Sequence, residues 1–199
     1  MSLRTFGLAL ALALPAALGM GPASLSPGVA EASVSVAITL EELVESSACV
    51  VVATAHEQRS QWEELGGKRR IVTYTRLTVG QLVTGKPAKE LWVRTLGGVV
   101  DGVGQLVSGE ATLAPGAESL VFLHEISGGT MVVSAMAQGH FPVQRTPNQP
   151  ARLTPSQDTG KVLARTGPSI AARELLVGQT LGDAVQAIQR VRRAIDEKR

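Results

Sequence analysis

The 199-residue chain has a single cysteine, Cys49. A lone cysteine closes no internal disulfide, so the apolar core has to carry stability by itself. Cys49 falls in a Val- and Ala-rich run, where a free cysteine packs as a small hydrophobe. A reactive thiol would need an electropositive setting, which the flanking residues do not supply. Aromatic residues make up 3% of the chain, too few for the stacking platforms that grip sugars or single-stranded nucleic acid. The net charge of +2 argues against a nucleic-acid partner. His56, His124 and His140 form no HxH or HxxxH pair, so no metal site is legible. The G-x-S-x-G elbow of many hydrolases is also missing. No catalytic, cofactor-binding or metal residue is therefore assigned, and the chain is read as not an enzyme.

What is present begins with an export signal. Arg4 supplies a positive n-region, and Phe6 to Leu18 is an apolar run interrupted by Pro15. That run is shorter than the about 20 residues a membrane-crossing helix needs, and Pro15 weakens it further as a helix. A Gly/Pro/Ser stretch then ends in Ala30-Glu31-Ala32, the small-x-small pattern cut by signal peptidase. Cleavage is expected after Ala32, which makes 1–32 the signal peptide, and no cysteine sits just after the apolar run to take a lipid anchor. The expected location is the periplasm or the exterior, with no stable membrane span after cleavage. Of 199 residues, 167 would remain, a length that suits one domain.

Thr39-Leu40-Glu41-Glu42 reads as a capping box opening a short helix to about Ser47. Cys49 to Gln58 reads as a strand. Gln61 to Arg70 reads as a polar loop turning at Gly66-Gly67. Arg70 to Val83 is the clearest strand, rich in β-branched residues. One face carries Ile71, Thr73, Thr75, Leu77 and Val79; the other carries Val72, Tyr74, Arg76 and Thr78. Gly80 within it predicts a bulge or a sharp bend. Leu91–Leu96, Ser119–Ile126 and Met131–Ala137 read as further strands, the last continuing through Phe141-Pro142-Val143. Short strands with turn signals between them point to a barrel or sandwich. Residues 33–145 are thus expected to form a β-barrel domain with a short N-terminal helix. Residues 146–179 read as a polar loop. Residues 180–199 read as a helix whose Leu181, Val185, Ile188 and Ile195 form an apolar stripe; the cations at its end suit the helix dipole.

Two glycine-bearing stretches bear on function. Gly80 to Lys86 matches the first seven positions of a phosphate-binding P-loop, but Pro87 replaces the Ser/Thr that would hold Mg²⁺ and blocks the helix that would follow. Gly97 to Gly109 lacks dinucleotide-loop spacing and reads as a connection presenting a ligand or partner surface. The candidate binding surface is Gly97, Gly98, Gly102, Gly104 and Gly109 with Trp62 and Trp92.

The runs Ser47–Ala53, Arg69–Val79, Val83-Thr84-Gly85, Leu91–Arg94, Gly116–Leu123 and Ala137–Val143 resemble a family of exported bacterial proteins of myxobacterial type. The order of these strands is distantly similar to the OB-like barrel of tissue inhibitors of metalloproteinases and netrin-like modules. In that family an N-terminal cysteine chelates the protease zinc. Here cleavage after Ala32 would leave Ser33, and the family's disulfides are absent, so the resemblance implies the fold and not that chemistry.

The reading is a mostly β protein, an OB-like barrel with a short N-terminal helix and a C-terminal helix. The expected function is that of an exported, non-catalytic binding module without cofactor, its partner another exported protein. The alternatives are an inhibitor of a secreted protease acting by loop insertion, and a hydrolase using His140 or His56.

Overall fold

The computed structural model describes residues 34–198. The expected export signal and its cleavage site lie outside the described residues. The elements in chain order are β1 (Val34–Val36), α1 (Leu40–Glu45), β2 (Cys49–Leu65), β3 (Lys68–Thr84), β4 (Glu90–Leu96), β5 (Gly98–Val100) and β6 (Val103–Gln105). They continue with β7 (Glu118–Ile126), β8 (Thr130–Val133), a 3-10 turn (Met136–Gly139), β9 (His140–Gln144), β10 (Arg152–Leu153) and β11 (Lys161–Leu163), ending in α2 (Ala172–Leu176) and α3 (Leu181–Asp196). The protein is mostly β, as expected.

The main sheet runs β10-β9-β7-β2-β3-β4-β8, and a further β7–β8 pairing closes β2, β3, β4, β8 and β7 into a ring. All ring neighbours are antiparallel except β4 and β8, which are parallel. β7 completes the ring by dividing one edge. Ser119–Val121 pair with β9, and Leu123–Ile126 pair with β8.

Strand alternation sorts the apolar residues into two cores. Cys49, Val51, Ala53, Leu77, Val93, Val121 and Leu123 pack together inside the ring. Val50, Val52, Leu120 and Phe122 face the other way and pack with Leu43 and Val44 of α1, Leu176 of α2, and Val185 and Ile188 of α3. Phe122 and Phe141 meet edge to face at 6.0 Å between centroids. Burying side chains of this size stabilises by about 1.5–3 kcal/mol each. The expected capping box forms: Thr39 Oγ1 accepts from the Glu42 amide at 3.2 Å, and the Glu42 carboxylate accepts from the Thr39 amide at 3.0 Å. Leu181, the first residue of the expected C-terminal stripe, is half-buried, while Val185, Ile188 and Ile195 are buried.

The structure refines several expectations. Gly80 has no partner where the β2–β3 register shifts between Val52 and Ala53, so it is the bulge. Gln61–Arg70, read as a loop, instead extends β2 and β3 into a hairpin whose turn is Gly66-Gly67 alone, at φ +59° and +71°. Both faces of that extension lack an apolar stripe, which is why it carried no strand signal. Residues 146–179, read as one polar loop, contain β10, β11 and α2. The two strands are too short to show alternation, and β11 pairs in parallel with β1 far away in sequence. Phe141-Pro142-Val143 belongs to a separate strand, because the 3-10 turn intervenes.

Candidate binding cleft

The inward face of β2, β3 and β4 changes character along its length. At the Cys49 end it is aliphatic. Further on it becomes Gln58, Ser60, Thr73, Thr75 and Thr95, and these join one another at the ring's other end. Gln58 Nε2 donates to Thr75 Oγ1 at 3.1 Å and to the Leu113 carbonyl at 2.8 Å. Thr73 Oγ1 donates to the Gly97 carbonyl at 2.7 Å, which leaves Ser60 to donate to Thr73 at 2.9 Å.

The glycine-rich stretch stands over this end. It is a β5–β6 hairpin and not an irregular connection, with Asp101 and Gly102 at φ +51° and +77° forming its turn. Two left-handed central residues match the right-handed strand twist. The hairpin is tied to β3 by Gly97 N–H to the Ile71 carbonyl at 2.8 Å and by the Ile71 amide to Gln105 Oε1 at 2.9 Å. Gly98 has φ +130°, and a Cβ there would collide with Thr73 Oγ1 and stand 2.7 Å from Ser60 Oγ. Only glycine lets the hairpin cross so close to the strands.

Between the hairpin, the strands and the chain after β6 lies a cleft of about 380 Å³. Its charged lining is Glu110 and Asp158, and neither Lys, Arg nor His lines it. Glu110 accepts from the Leu96 amide at 3.1 Å and the Ala111 amide at 2.9 Å. Burial raises the Glu110 pKa above the usual carboxylate range, outweighing those two amides and the charge of Arg94. Asp158 accepts from the Gly109 and Gly160 amides at 3.3 and 2.8 Å. At the rim Val99 and Leu106 are 65% and 92% exposed. The cleft thus offers hydroxyls, an amide, two carboxylates and an apolar lip.

Only part of the expected surface assembles here. Gly97 and Gly98 line the cleft. Gly102 is at the hairpin turn, Gly104 lies in β6, and buried Gly109 packs near the Thr159 carbonyl. Neither tryptophan lines the cleft. The register puts them on opposite faces of the sheet: Trp92 lies under the Arg59 guanidinium at 5.1 Å, and Trp62 lies under that of Arg69 at 4.7 Å. Closeness in chain order does not bring them together, because residue parity in a strand decides the face. Sequence reasoning missed Gln58, Ser60, Thr73, Thr95, Glu110 and Asp158. The one available signal was a polar run on the same strand face that is apolar further along.

The histidines are dispersed. His56 is exposed. His124 Nδ1 lies 3.4 Å from Ser134 Oγ. His140 is buried between Ser156 Oγ at 3.0 Å and Ser119 Oγ at 2.9 Å, and burial pushes its pKa down to about 4. Among the described residues no group of three or more His, Cys, Asp or Glu is placed to hold a metal ion. Burial drives the Cys49 thiol up to about 11. No helix among the described residues is long and apolar enough to cross a membrane.

Comparison with protein-family models gives no match, and comparison with curated proteins gives none either.

Proposed function

We propose that this chain is an exported, non-catalytic binding module built on an OB-like barrel, with its ligand face at the mouth beneath the β5–β6 hairpin. The barrel reading is supported by the ring order β2-β3-β4-β8-β7 and its one parallel pair, β4–β8, which suits the small five-stranded Greek-key architecture. The proposed kinship with exported myxobacterial-type proteins rests on the sequence runs between Ser47 and Val143, and the more distant one with netrin-like modules on the order of the strands. The single observation that carries the binding role is the cleft itself. A polar floor, two carboxylates and an exposed apolar lip converge there from separate segments, the mix that ligand sites use for orientation and affinity. The partner proposed is another exported protein, reached through the hairpin lip.

The test is capture. The immobilised full chain is offered envelope extract and culture medium of its own host, alongside Leu106→Asp and Glu110→Gln variants. One enriched protein that is lost with either variant, while both variants melt like the parent, supports the proposal. Capture unchanged in both variants removes the cleft from the binding surface. If the captured protein is a protease, inhibition assays replace the simple binding reading.

A further inference from the structure

A second cavity lies at the opposite end of β2 and β3 from the cleft, and its chemistry differs. It occupies about 540 Å³ between the turn after β3 and helix α3. Lys86, Arg192 and Arg193 line it, against one acidic side chain, Asp196. Arg192 is already anchored: its guanidinium donates to the Val44 carbonyl and, at 3.2 Å, to the Ser47 carbonyl, at the C-terminal end of α1. A guanidinium carries five N–H donors, so this anchoring leaves others free. Lys86 and Arg193 are exposed, and among the described residues neither is in an ion pair.

The floor of this cavity holds an anomaly. Thr84 lines it and is 7% exposed, and its Oγ1 is the one buried side-chain polar atom without a hydrogen-bond partner among the described residues. Buried hydroxyls are almost always paired, and an unpaired one costs stability. Beside it Gly85 has φ +82°, and a Cβ there would collide with the Ala48 carbonyl and Cys49, so only glycine fits at this turn. This is the Thr84-Gly85-Lys86 end of the run that imitates a P-loop in sequence. Gly80–Thr84 is strand, and no helix follows it at once, so a nucleotide has no helix N-terminus to receive its phosphates.

We infer that this cavity binds a single phosphoryl-type oxyanion, held by Lys86 and Arg193, with Arg192 and the Thr84 hydroxyl beneath it. The cations match its charge. A rotation of Thr84 about χ1 toward the anion would give the hydroxyl the acceptor it lacks, and Arg192 keeps guanidinium N–H donors of the forked kind that suits phosphate. The site is independent of the proposed binding cleft. The phosphoryl group is either free inorganic phosphate or part of an anionic lipid headgroup.

The experiment uses the full chain and isothermal titration with inorganic phosphate, against chloride at matched ionic strength. Saturable phosphate binding that chloride does not reproduce is expected. Lys86→Ala and Arg193→Ala should each weaken it about tenfold, the loss of one charge-assisted contact of about 1.4 kcal/mol. Arg190→Ala, on the same helix but outside the cavity, should leave it unchanged. Thr84→Val should weaken phosphate while raising the melting temperature; unchanged affinity in that variant overturns the role of the hydroxyl. Phosphatidylglycerol vesicles form the second arm. Vesicle binding displaced by phosphate assigns the headgroup, and phosphate binding without vesicle binding assigns the free ion. Equal responses to phosphate and chloride, or full affinity in a Lys86→Ala/Arg193→Ala double variant, overturn the inference.

Discussion

Acidification should unfold this protein in part through one side chain. His140 is 3% exposed and sits between two serine hydroxyls, with no carboxylate among its hydrogen-bond partners to stabilise a positive charge. Its pKa is pushed down to about 4 from the ordinary 6.5 by burial. The unfolded chain therefore takes up a proton near pH 6.5, whereas the folded chain resists until about pH 4. Between those values the unfolded state binds more protons, so stability rises with pH across the window. The contribution of neutral His140 is complete above pH 6.5 and is lost progressively as pH falls toward 4. At about 1.4 kcal/mol per pH unit, the loss across that window is about 3 kcal/mol, a large part of the margin of a small domain. The assay is urea unfolding at half-unit steps from pH 7.5 to pH 4, with His140→Gln in parallel. Carboxylates also titrate in this range: Glu42 and Glu63 lie below the usual value and Glu110 above it. The difference between parent and variant cancels these shared contributions. The parent should lose about 3 kcal/mol more than His140→Gln over the window. Parallel curves would refute the reasoning, because the imidazole would then ionise alike in both states.

Gly98→Ala should destabilise by more than about 2 kcal/mol, combining a left-handed backbone with a clash into Ser60 and Thr73; urea unfolding measures it, and a change under about 0.5 kcal/mol would mean that the hairpin rides clear of the strands. Cys49, buried inside the ring with its thiol raised to about 11, should react with a thiol reagent at pH 8 only as fast as the chain opens. The rate should therefore climb steeply with urea, and prompt labelling of the native protein would contradict the packing. Thr39→Ala should cost about 0.5–2 kcal/mol through loss of the α1 cap, read as a lower urea midpoint with unchanged slope.

The features legible in the sequence were those that arise within a few residues. The capping box needs only Thr39 and Glu42, three apart. The β-branched run Ile71–Val79 and the Gly80 bulge follow from side-chain and backbone sterics at single positions, and the apolar stripe of α3 follows from a helical period. The two-sided polar hairpin beyond Gln58, the pairing of β1 with β11 and the ring closure by β7 and β8 left no such local mark. They depend on pairings between segments far apart, whose favourable contacts exist only once the chain has closed. The cleft shows the same division. Gly97 and Gly98 stood out as glycines, but their role, clearing Ser60 and Thr73, came from strands that precede them by 24 residues or more. Glu110 and Asp158 were ordinary surface carboxylates until the tertiary fold set backbone amides against them and withdrew water. Trp62 and Trp92 looked like neighbours and were parted by strand parity. By itself the sequence determined the elements that carry a local mark, the capped α1, the β-branched part of β3 and the amphipathic α3, because sterics and periodicity act locally; only the tertiary structure decided the polar and short strands and which side chains meet, because register, ring closure and burial are properties of paired segments and not of any one of them.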